Sequence, residues 1–231
     1  MDSRKRREAW LKTVRADWFR VMRPLGSWVP WDLVGEVQSD DIEVEDYFQP
    51  AARLESRHLK NCRVVADRVE MLASLPKGGI VAEIGTDKGD FAEKILSVCT
   101  PREFDVVDKS LRNFRKADFA DAIATGRVRL HEADSVTALE SFPDGRFDWI
   151  YIDADHSYAG VKRDILAASR KVKKKDGLLA LNDYIFWSHR ELVTYGVVQA
   201  VNEFCLAEGW EILCLALHRE MYNDVVLRAI P

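Results

Sequence analysis

The 231-residue sequence predicts an α/β fold: a doubly wound, seven-stranded sheet with five parallel strands and a C-terminal antiparallel hairpin, plus an N-terminal helical extension. Three observations carry this. From residue 79 onward, short apolar runs alternate with stretches of helical periodicity. The first five runs recur every 20 to 30 residues, the spacing of right-handed βαβ units in a parallel sheet. The last two runs, Trp210 to Leu217 and Tyr222 to Ile230, stand only four residues apart. That gap is too short for a crossover helix, so these two strands run antiparallel to each other.

Composition bounds the rest. Hydrophobic residues make up 47% of the chain and charged residues 31%, enough to bury a core and too apolar for disorder. With 34 Lys and Arg against 38 Asp and Glu, the net charge of -4 argues against a generally cationic nucleic-acid binder. The four cysteines, at 62, 99, 205 and 214, form no Cys-x-x-Cys pair, which excludes a zinc knuckle; a disulfide scaffold does not suit this length. No apolar run approaches the ~20 residues that span a bilayer. Met1 to Arg7 is charged and no apolar segment follows it, so no secretory leader is expected. A cytoplasmic enzyme-sized domain follows from these features.

Residues 1–23 carry eight basic side chains against three acids, with Trp10, Val14, Trp18, Val21 and Met22 at helical spacing. This basic amphipathic helix is expected to pack on the domain or on a second copy of the chain, giving a homodimer through the N-terminal helices; a membrane surface or RNA is the other reading. Pro24, Gly26 and Pro30 break the pattern, and residues 32–46 hold seven acids and no base. A second helix is expected over about Arg53 to Leu75, ended by Pro76, Gly78 and Gly79. The domain division is therefore 1–75 for extension and linker and 76–231 for the sheet domain. Strands are expected at Ile80 to Ile84, Phe104 to Val107, Val128 to Leu130, Trp149 to Ile152 and Leu178 to Leu181. Helices are expected at Phe91 to Val98, Leu111 to Ala124, Val136 to Phe142, Tyr158 to Val172 and Ser188 to Glu208.

The first strand runs into Glu83-Ile84-Gly85-Thr86-Asp87-Lys88-Gly89. Doubly wound sheets bind ligands where strand carboxyl ends meet helix N-termini, and glycines there let backbone approach a ligand closely. The Gly-x-x-x-Gly spacing lacks the middle glycine of a dinucleotide fingerprint, which disfavours a pyrophosphate cradle. Glu83 sits inside an otherwise apolar strand, so its carboxylate needs a partner, structural or cationic ligand. Asp108 ends the second strand, where an acid can accept both hydroxyls of a ribose. Asp134 follows the third strand, placed to accept from an adenine amine or to cap the next helix; Ser135 is the preferred cap.

Glu83-Ile84-Gly85-x-x-x-Gly89, Asp108, Asp134 and Phe147-Asp148-Trp149-Ile150-Tyr151-Ile152-Asp153, taken in order, resemble the motifs of class I S-adenosylmethionine-dependent methyltransferases, which have a Rossmann-like fold. The resemblance covers about residues 65–231. Ile152 to Val161 is similar to the bacterial small-molecule O-methyltransferases that include the macrolide sugar enzymes. It implies that the loop from Gly85 through Thr86 to Gly89 holds the methionine part of S-adenosylmethionine, Asp108 the ribose and Asp134 the adenine. Glu83, Lys109, Ser135 and Asp153 are expected in the same cofactor site. The middle glycine is replaced by Asp87.

Methyl transfer is an in-line displacement, so the protein must align the acceptor within ~3 to 3.5 Å, exclude water and ease deprotonation. Two clusters at strand ends qualify: Asp153, Asp155 and His156, and Asn182, Asp183 and Tyr184. In one mechanism Asp153, Asn182 and Asp183 bind a divalent cation such as magnesium, which lowers the pKa of an acceptor hydroxyl. Catechol-type relatives carry Asp-Asn after the fifth strand, and this chain has Asn182-Asp183 in reverse. In the other, His156 is the general base, with Asp183 as a second catalytic residue and no metal. Trp187, His189 and Tyr195 either line an acceptor pocket or pack locally, and His131 and His218 are read as structural.

The expected activity is O-methylation of a small polar or sugar-like acceptor, with no nucleic-acid partner and no membrane span. An NAD-dependent oxidoreductase is disfavoured by the missing fingerprint, and a base N-methyltransferase by the missing Asp/Asn-Pro-Pro-aromatic motif. A methyltransferase acting on nucleic acid or protein, and a non-catalytic binding module on the same fold, remain the alternatives.

Overall fold

The computed structural model describes residues 51–231. The basic helix of residues 1–23, the acidic stretch of 32–46 and the dimer contact expected through the N-terminal helices lie outside the described residues.

The strands include contiguous apolar segments, as strands buried on both faces require. They are β1 (Arg63–Val65), β2 (Ile80–Ile84), β3 (Glu103–Asp108), β4 (Val128–Glu132), β5 (Trp149–Ile152), β6 (Leu178–Leu181), β7 (Trp187–Ser188), β8 (Val193–Thr194), β9 (Trp210–Ala216) and β10 (Asp224–Ala229). The helices are α1 (Arg68–Ser74), α2 (Asp90–Cys99), α3 (Ala120–Ala124), α4 (Ser135–Ser141), α5 (Tyr158–Lys171) and α6 (Val197–Glu208). The main sheet has the order β1-β9-β10-β6-β5-β2-β3-β4, and β7 and β8 form a separate small hairpin. The five strands β2 to β6 are parallel. β10 is antiparallel to both β6 and β9, so it is inserted between them rather than added at the edge.

The sheet thus has eight strands, one more than the sequence suggests, because β1 pairs in parallel with β9. The helix expected over residues 53–75 splits into a short 3-10 turn at Ser56–His58, β1 and α1. Of the apolar residues that would share one side of such a helix, Val65 and Leu72 are buried, whereas Leu59 and Val69 are exposed. Asp67 accepts hydrogen bonds from the Val69 and Glu70 N–H groups and starts α1 as its cap. The helix expected from Leu111 to Ala124 forms only from Lys116 on, as a 3-10 helix at Lys116–Phe119 that runs into α3; residues 111–115 are irregular, with Phe114 drawn into the core, where its ring stacks on Phe119 at 4.8 Å. The helix expected from Ser188 begins only at Val197, after the β7–β8 hairpin.

Alternation along each strand sends side chains to two cores. Ala82, Ile84, Ile150, Ile152, Leu179 and Leu181 pack under α4, α5 and α6. Val81, Val106, Trp149, Tyr151, Ala180 and Val226 pack under α1 and α2. The chain order reverses between β2 and β5, and their carboxyl ends open the crevice in which such sheets take ligands. No helix among the described residues is long and apolar enough to cross a membrane.

Candidate functional site

The glycine turn at the end of β2 is forced by its surroundings. Gly85 has φ +87, and a Cβ there would lie 2.0 Å from the Asp153 carbonyl oxygen. Only a residue without a side chain lets the loops after β2 and β5 approach this closely. Gly89, also left-handed, caps α2, and a Cβ on it would strike the Phe114 ring at 2.6 Å.

Asp108 braces this turn. Its Oδ2 accepts the N–H groups of Thr86 (2.9 Å) and Asp87 (3.0 Å), and its Oδ1 accepts the Ser110 N–H (3.0 Å). Burial works to raise its pKa, but the N–H groups of Ser110, Thr86 and Asp87 outweigh that and hold it below the ordinary aspartate value. Oδ2 already takes two donors, so Oδ1 is the oxygen with room for a further donor. Lys109 is exposed beside it.

Glu83 lies one residue short of the turn and is 1% exposed. Its Oε2 and the Thr86 Oγ1 are buried, and beyond the contact between these two side chains they find no hydrogen-bond partner among the described residues. Burial pushes the Glu83 pKa up to about 8; the hydrogen bond from Thr86 lowers it, while the Asp153 charge adds to the rise. A buried acid this poorly satisfied is costly unless something else completes it.

Asp134 is the N-cap of α4, accepting from the N–H groups of Val136 (3.1 Å) and Thr137 (3.3 Å). The expectation that Ser135 is the cap is corrected: the Ser135 hydroxyl instead donates to Asp164 Oδ1 at 2.6 Å, a buried acid that draws it away from the helix end.

The loops after β5 and β6 bring together three side chains. His156 Nε2 lies 3.4 Å from Asp153 Oδ1 and 3.6 Å from Asp183 Oδ2, and its ring stacks on Tyr195 at 4.6 Å, 15° from parallel. Asp183 has φ +55, a conformation uncommon for aspartate, held beside the Tyr184 N–H bond to the Asn223 carbonyl (2.6 Å). Asn182 is buried, and its amide donates to Asp224 Oδ1 at 3.2 Å. Asp224 also accepts the Tyr151 hydroxyl at 2.8 Å; burial pushes its pKa up to about 7.

Among the described residues, no group of three or more His, Cys, Asp or Glu side chains is arranged to hold a metal ion. The expected donor set of Asp153, Asn182 and Asp183 does not fit: Asn182 is turned to Asp224, and the His156 ring nitrogen lies against both carboxylates. His131, read as structural, pairs with the buried Asp105 at 2.8 Å. His189 is near Glu220, and Trp187 is exposed on β7. Sequence reasoning missed Tyr195 as the stacking partner of His156, and missed Tyr151 and Asp224. Tyr151 reads simply as an apolar strand residue, and Asp224 gives no signal until β10 is known to lie beside β6.

Residues 82–184 match the family model described as a methyltransferase domain. No curated protein matches the chain. Among solved structures, the pyocyanin biosynthetic protein PhzM is 15% identical with a TM-score of 0.54, covering 70% of this chain and 54% of its own. This chain therefore spans about half of PhzM's length. A precorrin-6y C5,15-methyltransferase from Geobacter metallireducens is 16% identical with a TM-score of 0.52, over 71% of this chain and 86% of its own. The Burkholderia thailandensis 1,6-didemethyltoxoflavin-N1-methyltransferase, solved with its substrate and S-adenosylhomocysteine, is 13% identical with a TM-score of 0.51, over 71% and 76%. At these identities the likeness is one of fold. Residues 82–184, which match the methyltransferase-domain model, lie in a Rossmann-like α/β sheet.

Proposed function

We propose that the protein is an S-adenosylmethionine-dependent methyltransferase acting on oxygen of a small, polar, sugar-like or polyhydroxylated acceptor, with His156 as general base. The observation that carries the cofactor reading is the buried, under-satisfied Glu83 carboxyl with the Thr86 hydroxyl beside it, at the Gly85 turn on the switch point of the sheet. A cationic ligand with hydrogen-bonding groups completes the hydrogen bonding of both. Gly85, Thr86 and Gly89, with Glu83 and Asp153, would hold its methionine part, Asp108 through Oδ1 and Lys109 its ribose, and Asp134 and Ser135 its adenine. S-adenosylmethionine supplies a methyl group already activated by the sulfonium charge.

The residues after β5 and β6 support the choice of oxygen. Asp153 and Asp183 lie 3.4 and 3.6 Å from His156 Nε2, which keeps the ring beside two negative charges as it takes the acceptor's hydroxyl proton. The resulting imidazolium is stabilised by the same two carboxylates, and Tyr195 fixes the ring plane. Incubation with methyl-labelled S-adenosylmethionine and panels of hydroxylated, amine and nucleic-acid acceptors tests the proposal. Label in the hydroxylated acceptors is expected; label confined to amines or nucleic acid rejects O-methylation of a small acceptor.

A further inference from the structure

Strand alternation puts Glu83, Tyr151 and Asp224 on the face of the sheet covered by α1 and α2. That face presents two buried carboxyl groups near the crevice, with Asp153 beside them. Arg68, the first residue of α1, is the cation that meets them. Its guanidinium lies over the Phe91 ring, 4.7 Å from the centroid, and Phe91, in the first turn of α2 after the glycine turn, packs on Tyr151 at 4.3 Å. Burial works against the guanidinium charge, but Tyr151, Asp224 and Asp153 outweigh it and keep arginine above its ordinary pKa. Part of the guanidinium edge is hydrogen-bonded to the Tyr151 side chain; an aromatic shelf restricts the group to one plane and leaves the remaining edge nitrogens to bind an anion.

We propose that Arg68 binds the carboxylate of the amino-acid moiety of S-adenosylmethionine, which makes it a ligand-binding residue contributed from outside the matched methyltransferase domain. The inference rests on the cofactor reading above. A ligand carrying an ammonium, a sulfonium and a carboxylate enters a crevice lined by Glu83, Asp108, Asp153 and Asp183. Its positive groups find acids there, but its carboxylate is repelled by them unless a cation intervenes. A planar guanidinium can take both carboxylate oxygens at once, which a lysine cannot. The competing role for Arg68 is purely structural, as counter-charge to Glu83 and Asp224.

Titration calorimetry with two ligands separates these roles. S-adenosylhomocysteine carries the carboxylate; 5'-methylthioadenosine keeps the adenosine and sulfur but lacks the amino-acid end. In R68M, S-adenosylhomocysteine affinity is expected to fall ~10-fold or more while methylthioadenosine affinity stays within about twofold, with R68K intermediate. Equal losses for both ligands, or no loss for either, overturns the proposal in favour of the structural role. If R68M does not fold, the wild-type protein provides the measurement. Decarboxylated S-adenosylhomocysteine should bind ~10-fold or more weaker than the intact ligand, and equal affinity overturns the assignment. If wild type binds no adenosyl ligand at all, the cofactor reading fails first, and the proposal falls with it.

Discussion

Substituting Gly85 by alanine tests the geometry of the turn most sharply. Two costs add. The first is backbone: φ +87 disfavours any residue with a Cβ, at roughly 1–2 kcal/mol. The second is steric. The new Cβ would sit 2.0 Å from the Asp153 carbonyl oxygen, where ordinary contact begins at 3.4 Å, so the loops after β2 and β5 must part by more than an ångström. Both ends of that contact are backbone, and no rotamer change relieves it. Overpacking of this kind costs roughly 1–3 kcal/mol, giving a total of about 2–5 kcal/mol and a fall in Tm of roughly 4–20 °C. Gly126→Ala is the control: φ is +73, but nothing lies within 4 Å of its Cβ, so only the backbone cost remains. It should lower Tm by roughly 2–8 °C. Thermal melts together with calorimetry on S-adenosylhomocysteine distinguish the two. Gly85→Ala should lose ~10-fold or more in affinity, because parting the loops moves Asp153 and Thr86 by a distance that binding sites do not tolerate. Gly126→Ala should bind like wild type. If Gly85→Ala melts with Gly126→Ala and binds normally, the close approach of the two loops is not part of the site.

Three further outcomes follow from the same geometry. Glu83 and Asp224 have folded pKa values raised to about 8 and about 7 from 4.5 and 3.8, so the folded state holds protons that the unfolded chain gives up. The stability this contributes is fully present below pH 3.8 to 4.5 and is lost as pH rises toward 8, so melts of the ligand-free protein should weaken with pH across that window; a Glu83→Gln variant that leaves the slope unchanged removes Glu83 from the account. His156→Ala should lower kcat by ~10²- to 10⁴-fold while S-adenosylhomocysteine affinity holds, and full activity rejects the base assignment. Treatment with EDTA should leave turnover intact, since the carboxylates of Asp153 and Asp183 face His156; loss of activity restored by magnesium would return the donor set of Asp153, Asn182 and Asp183.

The strands of the crevice were legible because a strand buried on both faces must be apolar throughout. Ile80–Ile84, Trp149–Ile152 and Leu178–Leu181 are found at the boundaries their composition marks. Glu83 stood out for the same reason, as the one acid in such a run. What the sequence hid was pairing and local compromise. Arg63–Val65 became an edge strand because β9 offered it a partner from far along the chain, a contact that no local pattern encodes. Leu111 and Phe114 mimic a helix face but fill the space beside Gly89 from an irregular segment. Asp134 took the cap expected of Ser135 because a buried acid 29 residues on, Asp164, claimed the serine hydroxyl. The stacking of His156 on Tyr195, and of the Arg68 guanidinium on Phe91, depend on tertiary placement alone.

Calorimetric titration of the wild-type protein and Asp108→Ala with S-adenosylhomocysteine bears most directly on the adenosyl pocket. Saturable binding by wild type and an affinity at least ~10-fold weaker in Asp108→Ala are predicted, because the variant loses both the brace on Thr86 and Asp87 and the acceptor left at Oδ1. Equal affinities, or no binding by wild type, would contradict the account.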